Sequence, residues 1–212
     1  MKSESKLRET MCSVGASLFE RGLTHGSTGN ISVRLDDGHF LMTPTGSSLG
    51  ALDPARLSKT TGAGELLSGD PPTKEAFLHT RMYAARPSAG AVVHLHATWS
   101  VAVSCLDGLD PGNVLPPLTA YSIMRVGALA LVPYYPPGDT ALGEAVGAVA
   151  GRHHAVLLAN HGPVVAGSTL AAATDAIEEL EETARLYLLL RGEKLKLLTE
   201  EQAAELRRRF PA

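Results

Sequence analysis

The sequence has little cysteine, little net charge and no long apolar run. Its only cysteines, Cys12 and Cys105, offer neither a disulfide framework nor the spacing of a cysteine-based metal site, so a reducing, cytoplasmic setting is expected. The net charge of -3 excludes a strongly basic surface, and neither nucleic acid nor an anionic membrane is expected as a partner. No apolar run approaches the roughly 20 residues that cross a bilayer, and the polar amino terminus does not look like a secretion signal.

What remains is the composition of an ordinary globular protein. Apolar residues make up 44% and charged residues 19% of the 212 residues, and a chain of this length can bury a substantial core. We find no internal repeat, low-complexity segment or linker. We therefore expect one domain over residues 1–212.

Hydrophobic periodicity predicts alternating helices and strands. Apolar spacing and capping residues predict helices over residues 5–21, 73–85, 98–106 and 168–191, and after Asp139 and Thr199. Alternation and short apolar runs predict strands over residues 31–35, 39–42, 90–96, 128–134, 155–158 and 164–166. Four acidic residues of the 168–191 helix are expected mainly on solvated faces: Glu178, Glu179, Glu181 and Glu182. This order indicates a layered, mixed α/β domain.

The most informative stretch is the predicted strand that ends in His94-Leu95-His96. Alternate side chains of a strand point to the same face, so the two imidazoles would lie side by side. A neutral imidazole nitrogen is a ligand that Zn²⁺ prefers, and a strand would hold the pair in place before a metal arrives. Two half-buried histidines bonded to backbone carbonyls are an equally good interpretation, so the pair alone does not decide.

His161 offers a third imidazole at the exit of the predicted 155–158 strand, beside Gly162 and Pro163. Binding residues collect at such exits on α/β scaffolds. If the histidine-bearing strands are neighbours, three imidazoles converge and leave a fourth position open, as in catalytic zinc sites. The remaining histidines have no comparable setting and are assigned to the surface or to packing: His25, His39, His79, His153 and His154.

Three loops of small polar residues are candidates for a phosphate site. Their residues of interest are Ser27, Gly29 and Asn30 in the first loop, Thr45 and Gly46 in the second, and Thr73 at a predicted helix start in the third. Converged loops would offer backbone N–H groups, hydroxyls and the positive end of a helix to an anion. Each loop alone is typical of an ordinary turn, and spacing does not show convergence.

Five motifs together resemble one known family. They are Ser27-Thr28-Gly29-Asn30-Ile31-Ser32, Thr43-Pro44-Thr45-Gly46, Lys74-Glu75 at a helix start, His94-Leu95-His96 and Asn160-His161-Gly162. In order and spacing they resemble the class II aldolase/adducin family, typified by fuculose-phosphate aldolase, over about residues 5–190. Further stretches, among them Leu67-Ser68-Gly69-Asp70 and Val132-Pro133-Tyr134-Tyr135, are similar to its branch of 3-oxo-tetronate 4-phosphate decarboxylases.

The resemblance implies a fold and a set of binding residues. The fold would be a single-domain α/β/α layered fold with a central mixed, largely antiparallel sheet flanked by helices. His94, His96 and His161 match the metal ligands, and Glu75 matches a carboxylate that serves as acid/base and can take the metal's fourth position. The residues that match the family's phosphate site are Ser27, Gly29, Asn30, Thr45, Gly46 and Thr73.

Two further residues and the assembly follow from the same resemblance. The family is typically a homotetramer with active sites at subunit boundaries, and Tyr121 corresponds to a tyrosine that reaches a neighbouring subunit's site. Lys74 departs from the aldolases, which tend to have a small hydroxyl residue there. Near a doubly anionic substrate, Lys74 is expected to hold the phosphate or the departing carboxylate.

The implied activity is that of a Zn²⁺-dependent carbon-carbon lyase acting on a small phosphorylated sugar acid. Zn²⁺, or Mn²⁺ or Co²⁺ in its place, would bind the ketone and hydroxyl oxygens of a 3-oxo-tetronate 4-phosphate. Loss of CO2 would leave an enediolate stabilised by the Lewis acid, and protonation by Glu75 would give dihydroxyacetone phosphate. A class II sugar-phosphate aldolase, which makes the same enediolate, and a non-catalytic adducin-like interaction module are the alternatives.

Overall fold

The computed structural model describes residues 3–136 and 138–210. The ends of the predicted domain and Pro137 lie outside this part. The helices that it contains are α1 (Glu4–Glu20), α2 (Ala76–Ala85), α3 (Thr98–Ser104), α4 (Ala120–Arg125), α5 (Thr140–Ala150), α6 (Leu170–Leu189) and α7 (Glu200–Arg209), with a 3-10 turn at Leu49–Ala51. Its strands are β1 (Asn30–Arg34), β2 (Phe40–Met42), β3 (Ser58–Thr60), β4 (Leu66–Ser68), β5 (Ala91–His94), β6 (Ala130–Val132), β7 (Ala155–Leu158) and β8 (Gly162–Gly167).

The strands form a single sheet in the order β4-β3-β2-β1-β5-β8-β7-β6. Every neighbouring pair is antiparallel except β6 and β7, which run parallel. The predicted mixed, largely antiparallel sheet is therefore confirmed. At its centre β5 lies between β1 and β8, and His94 pairs with Asn30 on one side and with Val164 on the other.

Helices cover both faces of the sheet. On one face, Met11 of α1 and Ile177 of α6 join a fully buried core with Val93 of β5. On the other, Met82 of α2 and Val146 of α5 join a second core. Burial of each such side chain contributes roughly 1.5–3 kcal/mol. The result is the α/β/α arrangement expected of the fold class, within one domain.

Alternation along the central strands decides which side chains face α2. Ile31 and Val93 point into the core beneath α1 and α6, whereas Val92 points into the core beneath α2 and α5. Ser32 and His94 alternate with Ile31 and Val93 respectively, so they face α2. Polar side chains of β1 and β5 are thereby brought beneath the amino-terminal half of that helix.

Most of the predicted elements are confirmed, with their ends within a few residues. The Asp139 side chain caps α5 by accepting a 2.9 Å hydrogen bond from the backbone N–H of Ala141. Thr199 and Gln202 form the predicted capping box of α7. No helix in the described ranges is long and apolar enough to cross a membrane.

The prediction that α2 starts at Thr73 is wrong. The helix begins at Ala76, and Lys74 and Glu75 precede it rather than lying in its first turn. Thr73 lies outside the helix, and its N–H donates to the carbonyl oxygen of Thr43 over 3.1 Å. Its hydroxyl accepts a hydrogen bond from the Glu75 N–H over 3.2 Å and caps the turn that leads into the helix.

Several other elements differ from the sequence prediction. Strands β3 and β4 and the 3-10 turn are not among the predicted elements. Strand β5 ends at His94, so His96 lies two residues beyond it. Helix α4 was not predicted, since the prolines before it hide its start. It is capped by Thr119, whose hydroxyl accepts a 3.1 Å hydrogen bond from the N–H of Ser122.

Candidate metal centre and active-site cleft

Three histidines meet at the end of the central strands. The Nε2 atoms of His94, His96 and His161 are 3.1–3.3 Å apart from one another. His94 ends β5, and His161 directly precedes β8, the strand that pairs with β5. The expected convergence of the three imidazoles is what the structure contains.

Two of the three imidazoles, those of His94 and His96, have a lowered pKa and are therefore in the neutral form that binds metals. Burial lowers the pKa of His94 below its ordinary value. Burial, followed by the proximity of His94 and His161, lowers the pKa of His96 to about 4. Because the neutral His94 ring donates its one proton from Nδ1 to the carbonyl oxygen of Pro163 over 2.8 Å, its Nε2 carries a bare lone pair directed at the other two rings.

Glu75 completes the group. Its Oε1 lies 3.2 Å from Nε2 of His161 and its Oε2 lies 3.4 Å from Nε2 of His94. Its Oε2 also accepts a 2.7 Å hydrogen bond from the side-chain amide of Asn30. Burial raises the pKa of Glu75, but the two imidazoles and Asn30 outweigh it and bring the pKa below its ordinary value. The carboxyl is therefore ionised.

The backbone conformation of the loop before β8 places His161 beside the other two histidines. Asn160 has a positive φ of 55°, a conformation that few residues other than glycine adopt and that clusters at functional sites. A Cβ on the next glycine, Gly162, would lie 2.3 Å from the carbonyl oxygen of Leu95. Only glycine lets the loop approach β5 this closely, and this approach brings the His161 ring to His94 and His96.

The donor set fits a divalent metal ion. The ligand atoms of Glu75, His94, His96 and His161 all lie within 4.8 Å of one another. A tetrahedral ion with bonds of 2.0–2.1 Å separates its nitrogen ligands by about 3.3 Å, which is the spacing of the three Nε2 atoms. Three nitrogens and one carboxylate suit Zn²⁺ and related ions.

Glu75, His96 and His161 line an open cleft with a volume of about 900 Å³, and His94 lies buried behind them. All three polar loops line the cleft, including each predicted phosphate-binding residue. Two of the loops are joined by backbone hydrogen bonds, from Thr45 to Pro71 over 2.9 Å and from Thr73 to Thr43 over 3.1 Å. The convergence that spacing left undecided is therefore present. Among the predicted phosphate-binding residues Asn30 differs in orientation, because its side-chain amide is bonded to Glu75.

Lys74 and Tyr121 are placed differently. Lys74 lines the cleft beside Glu75 and is exposed. Tyr121 lies on α4 with 57% of its surface exposed, beside Arg125 and the acidic residues of α6, and does not line the cleft. Within this chain, the structure does not bring Tyr121 to the histidines.

The sequence reasoning missed residues that belong to the site. His79 is completely buried and bonded to Asn30, and its position four residues after Glu75 was a signal that both lie on one side of a helical segment. His25, Tyr134 and Tyr135 line the cleft. The tyrosines follow strand β6, whose exit faces the same edge of the sheet as that of β7.

The comparison with known families decides what this arrangement is. The family described as Class II Aldolase and Adducin N-terminal domain matches residues 9–188. The chain belongs to this family. Class II aldolases are metal-dependent enzymes, in agreement with the metal-type donor set of this chain.

Individual class II aldolase relatives are similar over nearly the whole chain. A 3-oxo-tetronate 4-phosphate decarboxylase of Escherichia coli strain K12 is 52% identical over 206 residues, which are 97% of this chain and 97% of the relative. The crystal structure of YgbL from Escherichia coli superposes with a TM-score of 0.95, at 50% identity over 97% of this chain and 100% of that chain. An L-fuculose phosphate aldolase of Methanococcus maripaludis strain S2 is 34% identical, over 84% of this chain and 93% of the relative.

Proposed function

We propose that this member of the class II aldolase and adducin family is a Zn²⁺-dependent carbon-carbon lyase that decarboxylates 3-oxo-tetronate 4-phosphate to dihydroxyacetone phosphate and CO2. The observation that carries the proposal is the meeting of three imidazole nitrogens and one carboxylate beside a cleft lined by phosphate-type loops. The relatives at 50–52% identity that bear this name support the choice of substrate.

His94, His96, His161 and Glu75 would hold the ion. When bound, the metal supplies a Lewis acid for oxygen atoms of the substrate. The hydrogen bond from His94 to Pro163 keeps one ligand nitrogen aimed at the metal position. The Asn30 amide holds Glu75 beside it.

The polar loops bind the phosphate. Ser27, Thr45 and Thr73 offer hydroxyls, while Gly29 and Gly46 allow the backbone to approach an anion closely. Gly29 has a positive φ of 78°, and a Cβ there would lie 3.0 Å from the carbonyl oxygen of His94. The phosphate-binding residues are therefore Ser27, Gly29, Asn30, Thr45, Gly46 and Thr73, with Asn30 contributing only the amide hydrogen that Glu75 leaves free.

Glu75 is the proton donor in the proposed reaction. In the reaction the bond between C1 and C2 breaks, CO2 leaves, and the electron pair left at C2 delocalises into the neighbouring ketone. The ionised Glu75 carboxylate accepts a proton from water in the open cleft, the hydroxide that remains is released to solvent, and Glu75 then delivers the proton to C2. Because its side chain is 20% exposed, Glu75 has access both to the cleft and to solvent.

Lys74 carries the positive charge that a doubly anionic substrate requires. It is the residue immediately before Glu75 and lines the same cleft. There its ammonium group holds either the phosphate or the carboxylate that leaves as CO2. A small hydroxyl residue at this position, as in the aldolases, would serve an uncharged leaving group.

The assembly and setting follow from the family. We propose that residues 1–212 form one domain, that the chain is a cytoplasmic homotetramer acting in carbohydrate metabolism, and that Tyr121 reaches the cleft of a neighbouring subunit. Tyr121 is exposed and far from its own cleft in the chain, as this role requires. Neither a nucleic acid nor a membrane is proposed as a partner.

Two measurements test the proposed function. Purified protein is loaded with Zn²⁺ and assayed for CO2 from 3-oxo-tetronate 4-phosphate and, separately, for aldehyde from fuculose 1-phosphate. We expect CO2 release and dihydroxyacetone phosphate in equal amounts. Aldehyde without CO2 would make the chain an aldolase, and a protein that takes up no divalent metal and turns over neither substrate would be an adducin-like module.

A further inference from the structure

A row of buried side chains stands behind Glu75. It begins at Tyr83, whose hydroxyl lies 2.9 Å from Oγ of Ser32, and Ser32 lies 2.7 Å from Nδ1 of His79. Nε2 of His79 is 2.5 Å from Oδ1 of Asn30, and the Asn30 amide nitrogen is 2.7 Å from Oε2 of Glu75. The first four residues are at most 5% exposed.

One strand and one helix produce this row. Asn30 and Ser32 are alternate residues of β1 and share its α2 face. Glu75, His79 and Tyr83 are spaced four apart and project from the same side of α2 and of the turn before it. The two elements thus interleave five side chains, which explains why the row is continuous and why only its end with Asn30 and Glu75 reaches the cleft.

The carboxylate end fixes the direction of the protons. The Asn30 amide nitrogen donates a 2.7 Å hydrogen bond to Oε2 of Glu75, which accepts it. The amide oxygen then faces His79 and also only accepts. His79 must therefore carry its proton on Nε2.

The other half of the row is consistent with that tautomer. Burial lowers the pKa of His79 to about 3, so the ring is neutral and its Nδ1 has a lone pair. The Ser32 hydroxyl must donate to Nδ1, and the Tyr83 hydroxyl in turn donates to Ser32. Every hydrogen bond points toward Glu75, and bonds aligned in this way strengthen one another.

We infer that His79 is a positioning residue, which, through its Nε2 proton, keeps the Asn30 amide nitrogen aimed at Glu75 and thereby holds the acid/base carboxylate in the cleft. Without that proton, a rotated Asn30 would set its oxygen against the carboxylate, and two acceptors in contact repel. His79 touches neither substrate nor the metal ligands. Its role depends on the proposed function only in the identity of Glu75 as the acid/base.

The first test uses the unchanged protein. Histidine labelled with nitrogen-15 gives separate resonances for protonated and bare ring nitrogens. We expect His79 to show a protonated Nε2 and a bare Nδ1 throughout the range in which an ordinary histidine titrates. A protonated Nδ1, or a ring with two protons, would overturn the inference whether or not the protein is a decarboxylase.

The second test compares two variants that carry the same side-chain amide on side chains of different length. In His79→Gln the amide nitrogen extends to the place of Nε2 and still donates to Asn30, whereas in His79→Asn it extends only to the place of Nδ1. We expect His79→Asn to lower kcat by about 10- to 100-fold, as outer partners of a metal site do, with KM unchanged. His79→Gln should keep most of the wild-type kcat.

Thermal stability separates positioning from packing. A purely structural role predicts that kcat follows the midpoint of unfolding in both variants, and equal losses in the two would contradict the inference. Absence of CO2 release from the wild type would instead reject the proposed function. In that case the tautomer measurement still decides the orientation of Asn30.

Discussion

His94 donates a 2.8 Å hydrogen bond from its Nδ1 atom to the carbonyl oxygen of Pro163. This bond joins β5, which ends at His94, to β8, the strand that directly follows His161. Because the ring is neutral, the bond also leaves its Nε2 lone pair facing His96 and His161. The ligands are thus oriented before a metal binds, which limits the conformational entropy that binding must overcome.

Removal of the third imidazole should therefore abolish metal binding without unfolding the chain. His161→Ala leaves two imidazoles and one carboxylate, and we expect a loss of metal affinity larger than the about 10- to 100-fold caused by changes to outer partners, together with loss of turnover. Metal analysis after dialysis measures the content directly. His39→Ala, at a partly exposed histidine of the β1–β2 hairpin, should retain wild-type metal, and equal metal in both variants would refute the assignment.

Gly162 should not tolerate even a methyl group. The Cβ of Gly162→Ala would lie 2.3 Å from the carbonyl oxygen of Leu95, so β8 and the end of β5 must move apart. We expect a loss of about 1–3 kcal/mol in the free energy of unfolding, measured by urea denaturation, and weaker metal binding because His161 shifts.

Gly151 provides a matched control for that substitution. It ends α5 with helical backbone angles, and a Cβ there has no atom within 4 Å. Gly151→Ala should leave stability unchanged or raise it by about 0.4–1 kcal/mol, because alanine restricts the unfolded chain. If both alanine variants unfold alike, the close approach at Gly162 does not constrain the site.

The histidine cluster shows why much of the fold and site was predictable. Period-2 and period-3.6 patterns report burial directly, so the central strands and α1, α5 and α6 could be located. His-x-His at a strand end and a third histidine at a neighbouring exit carry a chemical signal of their own. The polar loops carry no such signal in the sequence, because their convergence depends on the backbone hydrogen bonds between Thr45 and Pro71 and between Thr73 and Thr43.

Those long-range bonds also account for the errors. Thr73 is a good helix cap by residue type, but its N–H is bonded to Thr43 and α2 begins only at Ala76. Glu181 lies among exposed acidic neighbours in the sequence and is nevertheless buried. No local pattern reveals either case, since each depends on a partner remote in the chain.

Glu181 should contribute to stability where its neighbour does not. Its carboxylate accepts hydrogen bonds from the backbone N–H groups of Trp99 and Ser100, over 2.7 and 2.8 Å, and from the Ser100 hydroxyl over 2.6 Å. Glu181→Ala leaves these buried donors unpaired, and we expect a loss of about 1–3 kcal/mol in the free energy of unfolding.

Glu182 is the control for this prediction. Its side chain is 53% exposed and forms a surface ion pair with Arg185, so Glu182→Ala should change stability by no more than about 0.5 kcal/mol. Urea denaturation of the two variants gives the comparison. Similar values for both would mean that the solvated acidic face expected from the sequence extends to Glu181.

The positive charge of Lys74 should contribute to kcat/KM for the anionic substrate. Hydrogen bonds to charged groups contribute about 1.5–3 kcal/mol, so Lys74→Ala should lower kcat/KM for 3-oxo-tetronate 4-phosphate by about 10-fold or more. Lys74→Arg keeps the charge and should retain part of the activity. Lys194→Ala, at an exposed lysine before α7, should behave as the wild type.

The product tells which anion Lys74 holds. Dihydroxyacetone phosphate has the phosphate but lacks the carboxylate, and its dissociation constant can be measured as that of a competitive inhibitor. If Lys74 holds the carboxylate, Lys74→Ala weakens the binding of the substrate but not that of the product. If Lys74 holds the phosphate, Lys74→Ala weakens the binding of product and substrate equally, because both molecules lose the same ion pair. Unchanged turnover and unchanged affinity for both would remove Lys74 from the site, and with it the structural reason to favour a charged leaving group over an aldehyde.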